Sequence, residues 1–228
     1  MEIINILFYI ITIGIILMII YWIKKFIKNN RTNYEIRYAK LTGIFEKENK
    51  KMREKDIDII FIGDSLIYHY DLKQFFPEFI TLNRGIGGDK TFGLEKRLNV
   101  SCFDVKSKIV VMLIGINNIK SMFENYESIL IKFKEKINER KIILCSLTPL
   151  GGKRAKKNKN KLIILNNERI KELAKKYNFI YIDLFTPLLN KETNEIYKQY
   201  TKDGLHFTME GYKVITKEIK NVLNKIIS

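Results

Sequence analysis

Three residues could carry out nucleophilic catalysis if the fold brings them together. Ser65 follows Gly63 and Asp64 directly after an apolar run, where a serine can stand exposed at a strand-to-helix turn. Asp203 precedes His206 by three residues, so its carboxylate can reach one ring nitrogen and leave the other for a serine hydroxyl. These residue types and spacings predict a serine hydrolase. By itself, the Gly-Asp-Ser sequence fits a helix cap better than a catalytic motif.

The other histidine, His69, is a weaker candidate for the general base. It lies four residues after Ser65, and Asp71, only two residues further on, is poorly spaced to orient its ring. We interpret His69 as a residue on the surface of a helix. Because the chain has two histidines in 228 residues, the choice of base is narrow.

Two turns could stabilise the negative charge that develops in such a reaction. Residues 83–89, NRGIGGD, carry three glycines in four positions, so the backbone takes a positive φ or closely approaches a ligand. A phosphate-binding loop is the alternative, but the chain lacks the Walker A pattern and the third glycine of a dinucleotide fingerprint. Residues 115–118, GINN, offer asparagine amides that can donate to an oxyanion. Either turn could also be an ordinary loop.

The sequence predicts no metal site and no cofactor. The two histidines are far apart, and Cys102 and Cys145 lack the spacing of metal ligands. We expect both cysteines to be buried thiols that pack as small apolar residues.

The elements that must position these residues alternate between short apolar runs and longer amphipathic segments. The runs are rich in Ile and Val without strict polar alternation, which is typical of strands buried on both faces of a parallel sheet. The alternation predicts an α/β fold, a three-layer α/β/α sandwich with a five-stranded parallel sheet. Predicted strands are residues 57–62, 79–82, 109–114, 142–147 and 180–184, and predicted helices are near residues 90–98, 122–138, 160–177 and 208–228.

An apolar segment precedes this domain. Residues 3–23 carry no charge, and a helix of that length would span roughly 30 Å, the thickness of a bilayer's hydrocarbon core. Tyr21 and Trp22 stand at its end, where aromatic rings favour the interface. A cleaved signal peptide fits less well, because Glu2 precedes a long apolar core without a small-residue cleavage site.

We therefore predict a transmembrane anchor over residues 1–23, a basic helical stalk over residues 24–55 and a catalytic domain over residues 56–228. Positive charges directly follow the apolar segment. By the positive-inside rule, they favour a single-pass protein of the cell membrane whose domain lies in the cytoplasm.

The chain is basic, with a net charge of +16. A basic surface favours anionic lipids or nucleic acid, but a solvated surface is our first interpretation and we expect no nucleic-acid partner. Residues 151–161, GGKRAKKNKNK, are interpreted as an exposed loop that leads into a helix.

Taken together and in order, the four motifs resemble those of the SGNH/GDSL hydrolase family. The resemblance covers about residues 57–226. The runs LNRGIGGDKTFGLEKRL (82–98) and DGLHFTMEGY (203–212) are similar to blocks of the platelet-activating-factor acetylhydrolase catalytic subunits, a branch of that family. Many members have Asp after the asparagine of the third motif, whereas this chain has Asn118, as that branch does.

The resemblance implies a flavodoxin-like fold and a role for each motif residue. Ser65 would be the nucleophile, His206 the base and Asp203 its partner. The N–H groups of Ser65, Gly88 and Asn117 would form an oxyanion hole. The expected function is then a membrane-anchored serine esterase that removes a short acyl group, such as acetyl, from a lipid or glycan. A lysophospholipase and a non-catalytic, membrane-tethered binding protein with a basic surface are the alternatives.

Overall fold

The apolar runs of the sequence form one parallel sheet in a computed structural model that describes residues 2–29 and 32–227. The side chains of residues 2–8, 10, 24 and 26–29 lie outside that description. The strands are β1 (Ile57–Gly63), β2 (Thr81–Gly85), β3 (Ser107–Leu113), β4 (Lys141–Cys145) and β5 (Ile180–Ile182). Their order in the sheet is β2-β1-β3-β4-β5, and all four pairings are parallel. The predicted α/β fold with a five-stranded parallel sheet is confirmed.

Helices precede, separate and follow these strands along the chain. They are α1 (Glu2–Asn29), α2 (Asn33–Met52), α3 (Ser65–Tyr68), α4 (Leu72–Phe75), α5 (Thr91–Lys96), α6 (Phe123–Lys136), α7 (Lys159–Tyr177) and α8 (Met209–Ile227). A small antiparallel pair, β6 (Leu189–Asn190) and β7 (Glu195–Ile196), lies between β5 and α8.

Helices lie on both faces of the sheet. Right-handed crossovers that run in opposite directions along a sheet lie on opposite faces. The chain moves one way from β1 to β2 and the other way from β2 to β5, so α5, α6 and α7 share one layer. On the other face α8 joins α3, where the Tyr212 hydroxyl donates to the Leu66 carbonyl at 2.9 Å. Because both faces of the sheet are covered, the carboxyl-terminal parts of β1 and β3 are almost wholly buried.

The strands differ from their predicted bounds by one to three residues, and hydrogen bonds explain two of these differences. β2 begins at Thr81 rather than at residue 79, because the Phe79 N–H still donates to the Phe76 carbonyl in a turn. β5 ends at Ile182, and shortly after it the N–H groups of Leu184 and Phe185 donate to side-chain oxygens instead of a neighbouring strand.

The chain divides into two units, one up to Ala39 and the other from Lys40 onward. The predicted stalk, residues 24–55, therefore spans this division. The second half of α2 packs into the second unit, where Phe45 and Asn49 are buried. The Asn49 amide donates to the Val100 carbonyl at 2.8 Å. It also accepts a hydrogen bond from the buried Arg84, a side chain whose charge needs such partners.

The predicted anchor, residues 1–23, coincides with most of α1. Among the residues that the structure describes, no helix is both long enough and apolar enough to cross a membrane. The predicted transmembrane helix is therefore not supported by the structure. The side chains of residues 1–8 and 10, at the start of the predicted anchor, lie outside the described ones.

Candidate active site

Ser65 stands at the carboxyl end of β1, as the first residue of α3. The preceding Asp64 caps this helix, because its Oδ1 accepts the Leu66 N–H at 3.0 Å. The sequence therefore turns sharply from a buried strand into a helix at Ser65. Both readings of the Gly-Asp-Ser motif apply, since the aspartate is a cap and the serine lies at the edge of the sheet where loops gather.

A closed turn holds Asp203 and His206 at the same edge. The Lys202 N–H donates to the His206 carbonyl at 2.8 Å, which ties the two ends of the turn together. Gly204 has a φ of 84°, and a side chain there would meet the Gly151 carbonyl oxygen at 2.2 Å. Glycine is required at this position, because both the left-handed backbone and the close approach exclude a side chain.

A continuous series of hydrogen bonds links the three side chains. His206 Nε2 lies 3.1 Å from Ser65 Oγ, and His206 Nδ1 lies 2.9 Å from Asp203 Oδ2. The other carboxylate oxygen, Oδ1, accepts the N–H groups of Leu205 at 3.1 Å and His206 at 2.8 Å. The carboxylate is thus held on both oxygens and orients the imidazole toward the serine hydroxyl, which is the geometry of an activated nucleophile.

The loops after β2 and β3 are joined to each other beside Ser65. Gly88 has a φ of 82°, the positive value that the glycine-rich run predicts. The Asn117 amide donates to the Asp89 carbonyl at 2.8 Å. Asn118 Nδ2 donates to Thr91 Oγ1 at 2.9 Å. Both asparagines, which follow β3, therefore hold the segment that follows β2.

A buried ion pair connects the loop after β2 to the ends of the strands. Arg97 Nε lies 2.8 Å from Asp89 Oδ2, and both side chains are almost completely inaccessible. Arg97 also donates to the carbonyls of Gly63 at 2.9 Å and Arg84 at 2.8 Å, at the ends of β1 and β2. Removal of Arg97 would leave a buried carboxylate and two carbonyls without this partner, which makes it a structural residue of the site.

Comparisons with known proteins show the family of the chain. The sequence profile of the GDSL-like lipase/acylhydrolase family matches residues 61–214. The chain belongs to this family. The GDSL hydrolase fold also appears in a GDSL-like lipase from Bacteroides thetaiotaomicron VPI-5482, with a TM-score of 0.72 and 25% identity. That similarity covers 81% of this chain and 98% of the lipase.

Two curated relatives are similar over most of the chain. One is the platelet-activating factor acetylhydrolase IB subunit beta homolog of Drosophila melanogaster, 28% identical over 77% of this chain and 81% of the relative. The other is the N-acylneuraminate cytidylyltransferase of Escherichia coli O18:K1:H7, 29% identical over 86% of this chain. This GDSL hydrolase spans 47% of the cytidylyltransferase's length. The family match identifies the chain as a carboxylic ester hydrolase.

The two carboxyl groups of the GDSL hydrolase site have opposite electrostatic environments. Burial raises the pKa of Asp64 to about 7, and the nearby Asp89 adds to this effect, against the Leu66 N–H and the Arg97 charge. Burial also acts to raise the pKa of Asp203. It is outweighed by hydrogen bonds from the backbone and ring of His206 and from Arg154, which hold that pKa well below its usual value.

Sequence reasoning missed two residues that adjoin the site. His69 is exposed, as expected, but its ring centroid lies 5.9 Å from that of His206 in an edge-to-face arrangement. Arg154, from the Lys-rich stretch, donates to Asp203 Oδ2 at 2.8 Å. The spacing of His69 from Ser65 was a usable signal, because both flank a single turn of helix. No sequence signal distinguishes Arg154 from the lysines around it.

The described residues include no group of three or more His, Cys, Asp or Glu side chains that could hold a metal ion. Cys102 and Cys145 are free and buried. Burial raises the pKa of each thiol to about 12, so neither is a reactive thiolate.

Proposed function

We propose that this GDSL hydrolase is a serine esterase that removes short acyl groups from a lipid or glycan at a membrane. The observation that carries the proposal is the hydrogen-bonded series from Ser65 Oγ through the His206 ring to Asp203. Such a series allows a serine to attack an ester carbonyl at neutral pH, because the imidazole takes the hydroxyl proton as the new bond forms.

The proposed reaction has two steps. In the first, Ser65 Oγ attacks the ester carbonyl and His206 Nε2 takes its proton. The tetrahedral intermediate collapses, and His206 returns the proton to the departing alcohol. In the second step water attacks the acyl-serine and gives a proton to His206 Nε2. His206 returns this proton to Ser65 Oγ as the bond between Oγ and the acyl carbon breaks, and the carboxylic acid leaves. Throughout both steps the Asp203 carboxylate accepts a hydrogen bond from His206 Nδ1–H and stabilises the imidazolium.

The proposed oxyanion hole consists of the N–H groups of Ser65 and Gly88 and the side-chain amide of Asn117. An amide nitrogen carries two hydrogens, and the bond from Asn117 to the Asp89 carbonyl uses one and fixes the amide's orientation. The second hydrogen is the proposed donor to the developing oxyanion. Loss of one such donor reduces the rate by about 10²–10³.

The proposed substrates follow from the relatives and from the family. The Drosophila relative is named as an acetylhydrolase of platelet-activating factor, and the Escherichia coli relative as a cytidylyltransferase of N-acylneuraminate. We therefore propose a short acyl ester of a lipid or a sugar as substrate. Lysophospholipid hydrolysis is the alternative, and it requires room for a long acyl chain.

We propose membrane association from the sequence of residues 3–23, which carry no charge. In the same helix Lys25 Nζ lies 4.9 Å from the ring centroid of Trp22, and such aromatic and basic residues are common at membrane interfaces. The basic flank favours a cytoplasmic active site.

The esterase proposal is tested with the purified full chain, p-nitrophenyl acetate and a fluorophosphonate probe. We expect hydrolysis and covalent labelling of the wild type, and loss of both in Ser65→Ala. The control is Ser107→Ala, at the start of β3 and the opposite edge of the sheet. If Ser65→Ala hydrolyses the ester as fast as the wild type does, the esterase proposal is wrong. Absent labelling together with salt-sensitive binding to anionic vesicles would favour the binding-protein alternative.

A substrate panel separates the acyl-group hypotheses. An acetylated sugar, a short-chain phospholipid and a lysophospholipid are compared by kcat/KM, each against Ser65→Ala. A preference for the lysophospholipid would overturn the short-acyl proposal without affecting the esterase itself.

Membrane association is tested by vesicle flotation of the full chain. Replacement of Ile13 and Ile16 by lysine is expected to abolish flotation, since each buried charge costs about 3 kcal/mol in a membrane. Ile131→Lys, an exposed position on α6, is the matched control.

The side of the membrane on which the domain lies is tested with a reporter that is active only outside the cytoplasm. When it is fused after residue 228, the reporter is expected to be silent.

A further inference from the structure

Arg154 shares one oxygen of Asp203 with His206. Its Nη2 donates to Asp203 Oδ2 at 2.8 Å, and His206 Nδ1 lies 2.9 Å from the same oxygen. The guanidinium nitrogen and the ring nitrogen are therefore no more than about 6 Å apart, a distance at which two positive charges repel measurably. The cation thus competes with the imidazole for the charge of a single carboxylate oxygen.

The backbone fixes this contact, which distinguishes Arg154 from a mobile surface cation. Arg154 ends the short helical turn Gly152–Arg154. The preceding Gly151 N–H donates to the Gly204 carbonyl at 2.9 Å, inside the turn that carries Asp203 and His206. The Gly152 N–H donates to Glu195 Oε2 of β7 at 2.7 Å. The turn that carries Arg154 is therefore joined directly to the turn that carries the proposed base.

We propose that Arg154 is a positioning residue that weakens the hold of Asp203 on the His206 proton and so keeps His206 available as a base at lower pH. This proposal rests on the proposed esterase function. Asp203 favours the imidazolium, since opposite charges attract, and a guanidinium on the same oxygen offsets part of that attraction. Arg154 also holds the carboxylate in place, because its Nη2 donates to the same oxygen that His206 Nδ1 contacts.

Other titratable groups contact these two turns, lie on them or are close to them in sequence, so the effect of Arg154 must be measured against them. His69 meets the His206 ring edge-on at 5.9 Å. Glu195 accepts from the Arg154 turn, and Lys202 belongs to the turn of Asp203 and His206. Glu210 of α8 is paired with Lys213 at 2.8 Å. Arg154 differs from these groups because it bonds directly to the carboxylate that orients the base.

The titration of His206 can be followed directly, because the chain has two histidines. In the full chain with ¹³C-labelled histidine, the two ring signals are assigned with His69→Asn. We expect Arg154→Gln to raise the titration midpoint of the His206 signal by about 0.5 to 1 pH unit. Arg154→Lys keeps the charge and is expected to remain within about 0.3 unit of the wild type. Lys153→Gln removes a neighbouring charge and is expected to leave the midpoint unchanged.

The same variants are compared by the pH dependence of kcat/KM for p-nitrophenyl acetate. In Arg154→Gln the acid limb of the profile is expected to move to higher pH by the same amount as the ring signal. A uniform loss of activity at all pH values, with an unmoved ring signal, would overturn the proposal and leave Arg154 a structural residue. An equal shift in Lys153→Gln would also overturn it. Because the ring signal needs no turnover, failure of the esterase proposal, read from Ser65→Ala, remains distinguishable.

Discussion

Asp64 directly precedes the proposed nucleophile, and Asp203 lies in the same turn as the proposed base. The environments of these two carboxyl groups are opposite. Asp64 is 1% exposed, accepts one backbone N–H through Oδ1, and its Oδ2 has no hydrogen-bond partner among the described residues. The Asp203 side chain is 38% exposed, and both its oxygens accept hydrogen bonds, two of them from backbone N–H groups. Because its pKa is raised, the Asp64 carboxyl group stays neutral to a higher pH than an ordinary aspartate does. The Asp203 carboxyl group, whose pKa is lowered, stays ionised to a lower pH.

The difference indicates that distance from the proposed nucleophile does not decide which carboxylate orients the proposed base. Asp64 is the immediate neighbour of Ser65, but its role is to cap α3 from a buried position. Asp203 is distant in sequence and becomes the partner of His206 because it has donors on both oxygens, which stabilise its charge. The comparison can be tested at three levels.

The largest expected effect is on catalysis. Asp203→Asn should reduce kcat by about 10⁴, because an amide cannot hold the imidazole in the required tautomer or stabilise the imidazolium. Asp64→Asn should reduce kcat by less than about tenfold, since an asparagine can still cap the helix. Both variants are measured with p-nitrophenyl acetate at pH 8. Equal losses in the two would show that Asp64 also takes part in the chemistry.

The next effect is on stability and comes from Asp64. Because its pKa is raised above the unfolded value, the wild type loses stability as the pH rises from about 4 to about 7, by up to about 1.4 kcal/mol per pH unit. Asp64→Asn lacks this titration. Its free energy of unfolding, measured in urea relative to the wild type, should therefore increase over the same range. A constant difference between the two proteins would contradict the raised pKa.

The smallest effect is the stability contribution of Asp203, and its pH dependence has the opposite sign. A lowered pKa stabilises the fold above the unfolded value of about 4 and loses that contribution as the pH falls further. Asp203→Asn should therefore be less stable than the wild type at pH 7, by about 1 kcal/mol or less, because the pair is partly exposed to solvent. The difference should shrink below about pH 4. A difference that grows on acidification would contradict the assignment.

Much of the fold could be predicted from the sequence, because buried parallel strands leave a strong local signal. Each of the five predicted apolar runs overlaps a strand, and the errors occur at the strand ends, as at β5, where a side-chain oxygen accepts the next hydrogen bond. The pairs that end β5 join residues 38 and 39 positions apart, so no local pattern reveals them. The second half of α2 is a similar case, since its burial depends on Arg84, a residue of β2.

The candidate site likewise has some features that a local sequence pattern predicts and others that depend on residues far apart in the chain. The types and spacing of Ser65, Asp203 and His206 were visible in the sequence because each lies in a short local motif: a strand end, or a turn closed by a glycine. What only the tertiary structure decided is what surrounds them. Arg154 reaches Asp203 across 49 residues, His69 meets His206, and Asp64 is buried beside Asp89. Burial and charge depend on segments far apart in the chain, so the motifs named the chemistry but not the electrostatic environment in which it would occur.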